Sequence, residues 1–356
     1  LWNVSGKWNL HNEAFMSRFG FINQLAFRVS YGFVGSIDRN ALPFSVLRKV
    51  DNFSYNGEKI MDRYDPSNPS IKWQRQENRN IGFDASLFNN RINLVVNYYN
   101  NDTRNLLDDK KIAASTGRLS VAANVASVNN RGWEISLRTL NVRTNDFSWV
   151  TSVNFTKNKD KVTDTYYQEL SEISASTNST FESLYSLYIQ GQPVKAYYGY
   201  KYAGVDPYTG NTLAYVDGFD DDGNRLGTLN AEAKYVYNMD HDLTTQLANA
   251  SRGYLGRSDP PVTGGFTTQF NYKRFSLFAQ SNYMTGHLAR SFQYYSGGTG
   301  YAAAKNVLKI EANRWRKLGD QTDIPKYGTS RTEYLYQLFD FRFEKGDYLK
   351  CNNISF

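Results

Sequence analysis

Residues 82–100, GFDASLFNNRINLVVNYYN, alternate apolar and polar side chains, pause at two asparagines, and alternate again. Phe83, Ala85 and Leu87 fall on one face, with Asp84 and Ser86 on the other. After Asn89-Asn90, Ile92, Leu94, Val96 and Tyr98 share a face, with Asn93 and Asn97 opposite. A period of two belongs to a strand, and asparagine tolerates the left-handed backbone of a tight turn, so the pattern predicts a β-hairpin. Its apolar face needs a cover. In a soluble sandwich that cover is a second sheet; in a membrane barrel it is lipid, and the asparagine-lined face borders a wet lumen.

The same signature recurs along the chain. Trp133, Ile135 and Leu137 alternate with polar residues before a turn at 141–146, and Phe147, Trp149, Thr151, Val153 and Phe155 follow it. Phe266, Thr268, Phe270 and Tyr272 lead into Lys273-Arg274, and Phe275, Leu277, Ala279 and Tyr283 lead away. Near the start, Trp2, Val4, Trp8 and Leu10 precede a connector near 11–21, and Leu25, Phe27, Val29 and Tyr31 follow. A last pair is expected at roughly 338–344 and 347–356. These make about ten strands in five hairpins, most near the ~10-residue length of a tilted bilayer-crossing strand. Long segments near 34–71, 102–131, 158–261 and 286–337, rich in Gly, Asn, Asp, Ser and Tyr, join the hairpins. Short turns at one end and long loops at the other are the pattern of an outer-membrane barrel, with the long loops extracellular.

Counting crossings refines the expectation. The strand ending near Phe155 and the one starting near Phe266 both reach the loop end, so Ala196–Val205 (AYYGYKYAGV) cannot add a single crossing. It is expected within a folded loop, paired with a segment such as Thr212–Val216. The first strand is expected to start, and the last to end, on the loop side, which predicts one part of a larger barrel. An open sheet in lipid would leave edge backbone groups unpaired.

Composition supports this picture without deciding it. The 356 residues include 27 Tyr, 22 Phe and 6 Trp, and rings with one wet end suit a membrane interface. No apolar run approaches the ~18 residues of a transmembrane helix. Mean hydropathy is −0.59, which a barrel tolerates because only alternate strand residues face lipid. The +7 net charge is scattered, with local clusters only at Lys110-Lys111 and Arg314–Lys317, so no nucleic-acid footprint is expected. Cys351 is the single cysteine and can form no intrachain disulfide.

Reactive constellations are sparse. His11, His241 and His287 lie far apart with no ligand spacing. The run DGFDDDGN (217–224) carries part of a calcium-loop pattern, but Gly218 holds the first ligand position and no Glu closes it, so a solvated loop is the stronger reading. No metal, cofactor or catalytic group is expected, and the chain reads as a non-enzyme. Phe83, Leu87, Ile92, Leu94, Val96, Trp133, Ile135, Leu137, Phe147, Trp149, Phe266, Phe270, Phe275 and Leu277 are the expected lipid-facing residues. Trp73, Tyr185, Tyr188 and Trp315 are candidate loop contacts to a sugar or peptide, against the alternative that these rings pack loops together.

Several stretches, in order, resemble the SusC/RagA-type TonB-dependent outer-membrane transporters, in the second half of their barrel. They include LAFRVSYGFVGS (25–36), ENRNIGFDASLFNNRINLVVNYYNNDTRNLL (77–107), GQPVKAYYGYKYAGVDPYTGN (191–211), NRWRKLGDQTDIP (313–325) and FEKGDYLKCNNISF (343–356). The resemblance implies an all-β fold: an antiparallel transmembrane barrel of about twenty-two strands, of which the chain holds about ten. It also implies a Gram-negative outer-membrane location, import energised through TonB, a SusD-like surface lipoprotein as lid, and oligosaccharide or peptide cargo. Contact with lipid or lipopolysaccharide follows from such a location. The plug, the N-terminal domain that would meet TonB, and the closing strands have no counterpart in these 356 residues. Two alternatives stand beside import: a barrel serving as scaffold in a larger outer-membrane assembly, and a soluble all-β glycan-binding module with its apolar faces buried against each other.

Overall fold

The fold is known from a computed structural model that describes residues 1–36, 44, 46–56, 58–65, 68–116, 120–165, 189–199, 202–210, 212–214, 253–290, 309–326 and 339–356. The early strands are β1 (Trp2–Asn9), β2 (Ile22–Ser36), β3 (Val46–Tyr55), β4 (Glu58–Asp65), β5 (Gln74–Leu87), β6 (Ile92–Lys111), β7 (Ser120–Arg143) and β8 (Phe147–Thr165). Short strands β9 (Ala196–Gly199), β10 (Tyr202–Val205), β11 (Thr212–Ala214) and β12 (Gly253–Arg257) follow. Then come β13 (Val262–Tyr272), β14 (Phe275–Thr285), β15 (Leu288–Arg290), β16 (Phe343–Lys345) and β17 (Tyr348–Ser355). Among the described residues, nine strands form one antiparallel sheet in the order β1-β2-β5-β6-β7-β8-β13-β14-β17.

Register makes this sheet two-faced. One row of paired residues crosses all nine strands: Trp8, Phe27, Phe83, Val96, Ile135, Phe155, Gly264, Tyr283 and Leu349. The next row reads Lys7, Arg28, Gly82, Asn97, Glu134, Thr156, Thr263, Met284 and Tyr348. Strand side chains alternate faces, so each row belongs to one side, and a one-residue slip anywhere would invert a strand. The fourteen residues expected to face lipid share the side of the row through Phe83 and Phe155.

Large side chains on that face stay uncovered: Trp2, Trp8, Val29, Trp133, Phe266, Phe275 and Ile354 are all exposed. The sandwich alternative needed this face buried against a second sheet, and none of the described elements packs on it. The apolar band also slides along the ladder. Its upper limit is Phe33 on β2, Tyr98 on β6 and Tyr283 on β14; its lower limit is Leu87 on β5, Phe147 on β8 and Phe275 on β14. Relative to the row through Phe83 and Phe155, the lower edge moves from four residues away on β5 to eight on β8. A level band crossing hydrogen-bond rows obliquely is the signature of tilted, staggered strands.

Four expectations change. Strands β6, β7 and β8 run 20, 24 and 19 residues, so much of the segment expected as a loop at 102–131 continues the ladder. It carries no two-sided hydrophobic contrast because a small cluster of Ala123, Val125, Ala126 and Leu106 stabilises it instead. Register shifts at Thr103–Leu107, with Asn105 at φ 58°, absorb the strain of the extension. Residues 34–71 hold the β3–β4 hairpin. The segment 196–205 divides: β9 pairs with β12, and β10 pairs with β11, the partner expected. Finally, 338–344 is not a wall strand: Asp340–Arg342 turns as a 3-10 helix, and β16 pairs with the three-residue β15. The ninth strand, β17, therefore pairs directly with β14 and runs toward the short-turn end, opposite to the direction expected.

Gly132 tests the ladder. A Cβ there would overlap the carbonyl oxygen of Lys157 and the Tyr99 ring, whereas one at Gly6 would meet only Val29 Cγ1 at 3.9 Å. Gly132→Val should lower stability by ~1–3 kcal/mol, and Gly6→Ala by less than ~0.5 kcal/mol. Urea unfolding followed by tryptophan fluorescence measures the difference; equal midpoints would show that the two sites are packed alike.

Candidate functional site

The polar face is a connected surface. From β2, Arg28 grips Asp84 on β5 with two bonds, Nε to Oδ2 at 2.9 Å and Nη2 to Oδ1 at 2.7 Å. The same Nη2 donates to Asn97 Oδ1 on β6 at 2.9 Å. The span is open because Gly82 lies beneath it: a Cβ there would stand 2.9 Å from both Arg28 Cζ and Asn97 Oδ1. Two strands further on, the Tyr99 hydroxyl donates to Asn158 Oδ1 at 2.8 Å, crossing above Gly132. Arg28 and Asp84 are part-exposed, so their pair adds only ~1 kcal/mol; its larger effect is to fix side-chain positions across three strands.

Beside these bridges lies a depression of about 440 Å³ lined by Asn93, Ser136, Arg138, Asn154, Gln280 and Asn282, among others. The Asn282 side-chain oxygen is buried there with no hydrogen-bond partner among the described residues. Asn101 and Asn130, paired across β6 and β7, have side-chain oxygens in the same condition. A surface of amides and hydroxyls with spare acceptors suits a neutral, hydrogen-bonding solute.

Loops are anchored where the wall strands overrun. Asp160 on β8 forms an ion pair with Arg257 on β12 and accepts from the Val194 backbone N–H at 2.8 Å. Val162 is fully buried and exchanges backbone bonds with Gln192 and Gly191, both at 2.9 Å. Tyr198 on β9 is buried against Tyr254 on β12, and burial pushes its phenol well above the ordinary value, so it stays protonated. Next, DPYTG (206–210) closes as a turn: buried Asp206 accepts from the Tyr208 N–H at 2.9 Å, and its carbonyl accepts from Gly210 at 2.8 Å. Residues 309–326 pack onto that turn. There the N–H groups of Arg316 and Lys317 hold the Asp320 carboxyl below its usual range.

These contacts decide how the candidate loop aromatics are placed. Trp315 lies over Gly210, where a Cβ would overlap its ring, and its indole N–H donates to the Pro207 carbonyl at 3.0 Å. Its ring and its donor are thus engaged in joining two loops. Trp73 is 63% exposed, close to Gly35, and leaves its ring available. Tyr185, Tyr188 and the run 217–224 lie outside the described residues. Among the described residues no group of His, Cys, Asp and Glu is arranged to hold a metal. The polar bridges of the wall escaped the reading of the sequence; Gly82 and Gly132 facing long polar side chains were the available signal.

A broad antiparallel wall, apolar on one face and hydrogen-bonded on the other, with short turns at one end and anchored loops at the other, defines a section of a β-barrel. Comparison with known proteins agrees. A family model described as TonB dependent receptor-like, beta-barrel matches residues 2–206, more than half of the chain, and the chain belongs to that family. It is 28% identical over 379 residues to TonB-dependent receptor P39 of Formosa agariphila, covering 98% of this chain and 35% of that protein. It is 26% identical over 245 residues to TonB-dependent receptor SusC of Bacteroides thetaiotaomicron, covering 65% and 24%. The solved RagAB peptide transporter matches 99% of this chain and 36% of its own, with a TM-score of 0.75 and 25% identity. These matches bear out the resemblance to the SusC/RagA type. The chain spans about a third of the length of the curated relatives it matches.

If Asp160 anchors the loops, Asp160→Ala should free Arg257 and the Val194 amide together. Hydrogen exchange of residues 190–199 and 253–257 should then rise about tenfold, the equivalent of ~1.4 kcal/mol, with the centres of β13 and β14 unchanged. Unchanged exchange in both segments would show that the β9–β12 pairing holds without the ion pair.

Proposed function

We propose that the chain is a wall-and-loop section of an outer-membrane importer energised through TonB, its apolar face against lipid and its polar face toward the lumen. The observation that carries this reading is the uncovered apolar band on a nine-stranded sheet whose opposite face is bridged by Arg28–Asp84–Asn97 and Tyr99–Asn158. From Phe147 to Phe155 the band on β8 spans eight residue steps, about 26 Å of strand, or ~20 Å of height at a 40° tilt, most of the ~25 Å of a barrel's lipid-facing belt. On this reading the short turns face the periplasm and the anchored loops face outward.

The cargo class is an oligosaccharide or a peptide, and the partner at the loops is a SusD-like lipoprotein lid. Amide-rich lining with unpaired acceptors fits sugar hydroxyls or peptide N–H groups, and the named relatives include SusC and a peptide transporter. The function is gated passage rather than reaction. The wall supplies a rigid, hydrated surface, and the loops supply capture, as loops on rigid scaffolds generally do.

The test is uptake. Cells carrying and lacking the gene are offered fluorescent maltooligosaccharides and, separately, fluorescent oligopeptides. Uptake of one probe class should require the gene and should stop when a protonophore removes the gradient that powers TonB. A protein that leaves the membrane in a carbonate wash without detergent would overturn the barrel reading; membrane retention with unchanged uptake of both probes would leave a scaffold subunit.

A further inference from the structure

The apolar face does not end in solvent-neutral residues at the loop end. Level with the Tyr98–Trp133 ring pair the same face carries Lys157, and directly above it Arg131, Lys159 and Lys161. The pairing Trp133↔Lys157, Arg131↔Lys159 and Asn129↔Lys161 puts all four cations on the side of the apolar band. All four are exposed. Arg131 and Lys159 stand directly opposite each other, and like charges in that relation destabilise a sheet.

Among the described residues no carboxylate forms an ion pair with any of the four. Glu134 and Asp160 occupy the alternate positions and belong to the polar face, whereas Asp164, paired with Ser127 beyond the register shift, comes onto the cation-bearing face past Lys161, and no ion pair joins the two. Glu77 and Asp102 share the row of Asn129 and Lys161 on the same face. Arg79 engages both, at 2.6 and 3.0 Å, and Tyr31 and Asn129 donate to them as well. Arg75, above Phe33 at 3.8 Å, extends the positive surface onto β5. A belt of rings marks the level at which hydrocarbon gives way to headgroups. Four cations at and just beyond that belt, with no ion-pair partner among the described residues, suit an anion presented by the membrane itself.

We infer that Arg131, Lys157, Lys159 and Lys161 form a binding site for the phosphate groups of an outer-leaflet glycolipid. The inference rests on the membrane reading above. Arg131 offers a planar fork and the lysines offer mobile ammonium groups, a combination suited to phosphate oxygens. The acyl chains of the same lipid would lie along the apolar band below, past Trp133 and Ile135, so one molecule meets both surfaces.

The test uses protein extracted from outer membranes in a nonionic detergent and native mass spectrometry with two probes, bisphosphorylated lipid A and its dephosphorylated form. The bisphosphorylated lipid should occupy the protein about tenfold more at equal concentration, since each interfacial cation strengthens binding to anionic lipid. Changing Arg131, Lys157, Lys159 and Lys161 to Gln should bring that ratio close to one, and the milder Lys159→Gln/Lys161→Gln pair should bring it part-way down. A control pair, Lys273→Gln/Arg274→Gln, alters the turn at the opposite end and should leave the ratio unchanged. Equal occupancy by both probes in the unaltered protein, or an undiminished preference in the Lys159/Lys161 variant, overturns the inference. Displacement of lipid A by an equal concentration of inorganic phosphate also overturns it, because the site would then read free phosphate and not a lipid. A protein that needs no detergent fails the membrane reading itself; one that needs detergent but shows no phosphate preference fails only this inference.

Discussion

The structure depends on one constraint: an unbroken backbone ladder in which residues of like character share each row. A strand alternates its side chains, so register alone determines whether Phe83 meets Phe27 and Val96 or meets polar neighbours. Nine strands satisfy this simultaneously, and bulges absorb the mismatches at Ser127–Val128, Leu140–Val142 and Gln280–Ser281 without exchanging the faces along the membrane-height part of the wall. Everything else follows from that agreement. The apolar band exists because the rows align, and it slides along the ladder because the strands are tilted.

The ladder also explains why the polar face can be rigid while wet. Arg28, Asp84 and Asn97 come from three different strands and meet because their rows coincide. Gly82 and Gly132 remove the side chains that would block the bridges. No single bridge contributes much, since part-exposed ion pairs and hydrogen bonds compete with water. Their collective effect is positional: they hold the amide surface in one arrangement against which a solute could bind without first ordering it. Beyond the band, β8 continues far enough to present Asp160 and Val162 to the loops, so the wall and the loop tier share one strand.

The hairpins were legible because the strands beside the short turns show strong contrast between faces. Phe83 through Leu87, Ile92 through Tyr98, and Phe266 through Leu277 could be placed by alternation alone, and the fold class followed from them. The extensions were not legible. In segments 102–111 and 120–131 the few apolar residues, such as Leu106-Leu107, do not alternate with polar ones, so the period of two is present in the backbone but silent in hydrophobicity. The last segment misled for a related reason: Phe339, Phe341 and Phe343 alternate like a strand, yet Phe339 is buried against loop residues and Phe341 meets Tyr202. Trp315 shows the same limit. Whether an aromatic ring waits for a ligand or fills a gap depends on the residue opposite, here Gly210, which lies more than a hundred positions away in the chain.

The two faces thus obey different rules. On the polar face, a charge is tolerated because a neighbour in the next row answers it, as Asp84 answers Arg28. On the apolar face the equivalent answer is available to Arg79, which holds Glu77 and Asp102, and among the described residues Arg131 and the three lysines of β8 have none. A soluble surface disperses such charges or pairs them, because an uncompensated cluster repels itself. Gathering the cluster at one end of the apolar band and on one side only makes sense where the surroundings are themselves charged. The same alternation that puts Glu134 and Asp160 on the far face therefore leaves the near face apolar along the band and cationic beyond it, the sequence of surfaces that the proposed lipid site requires.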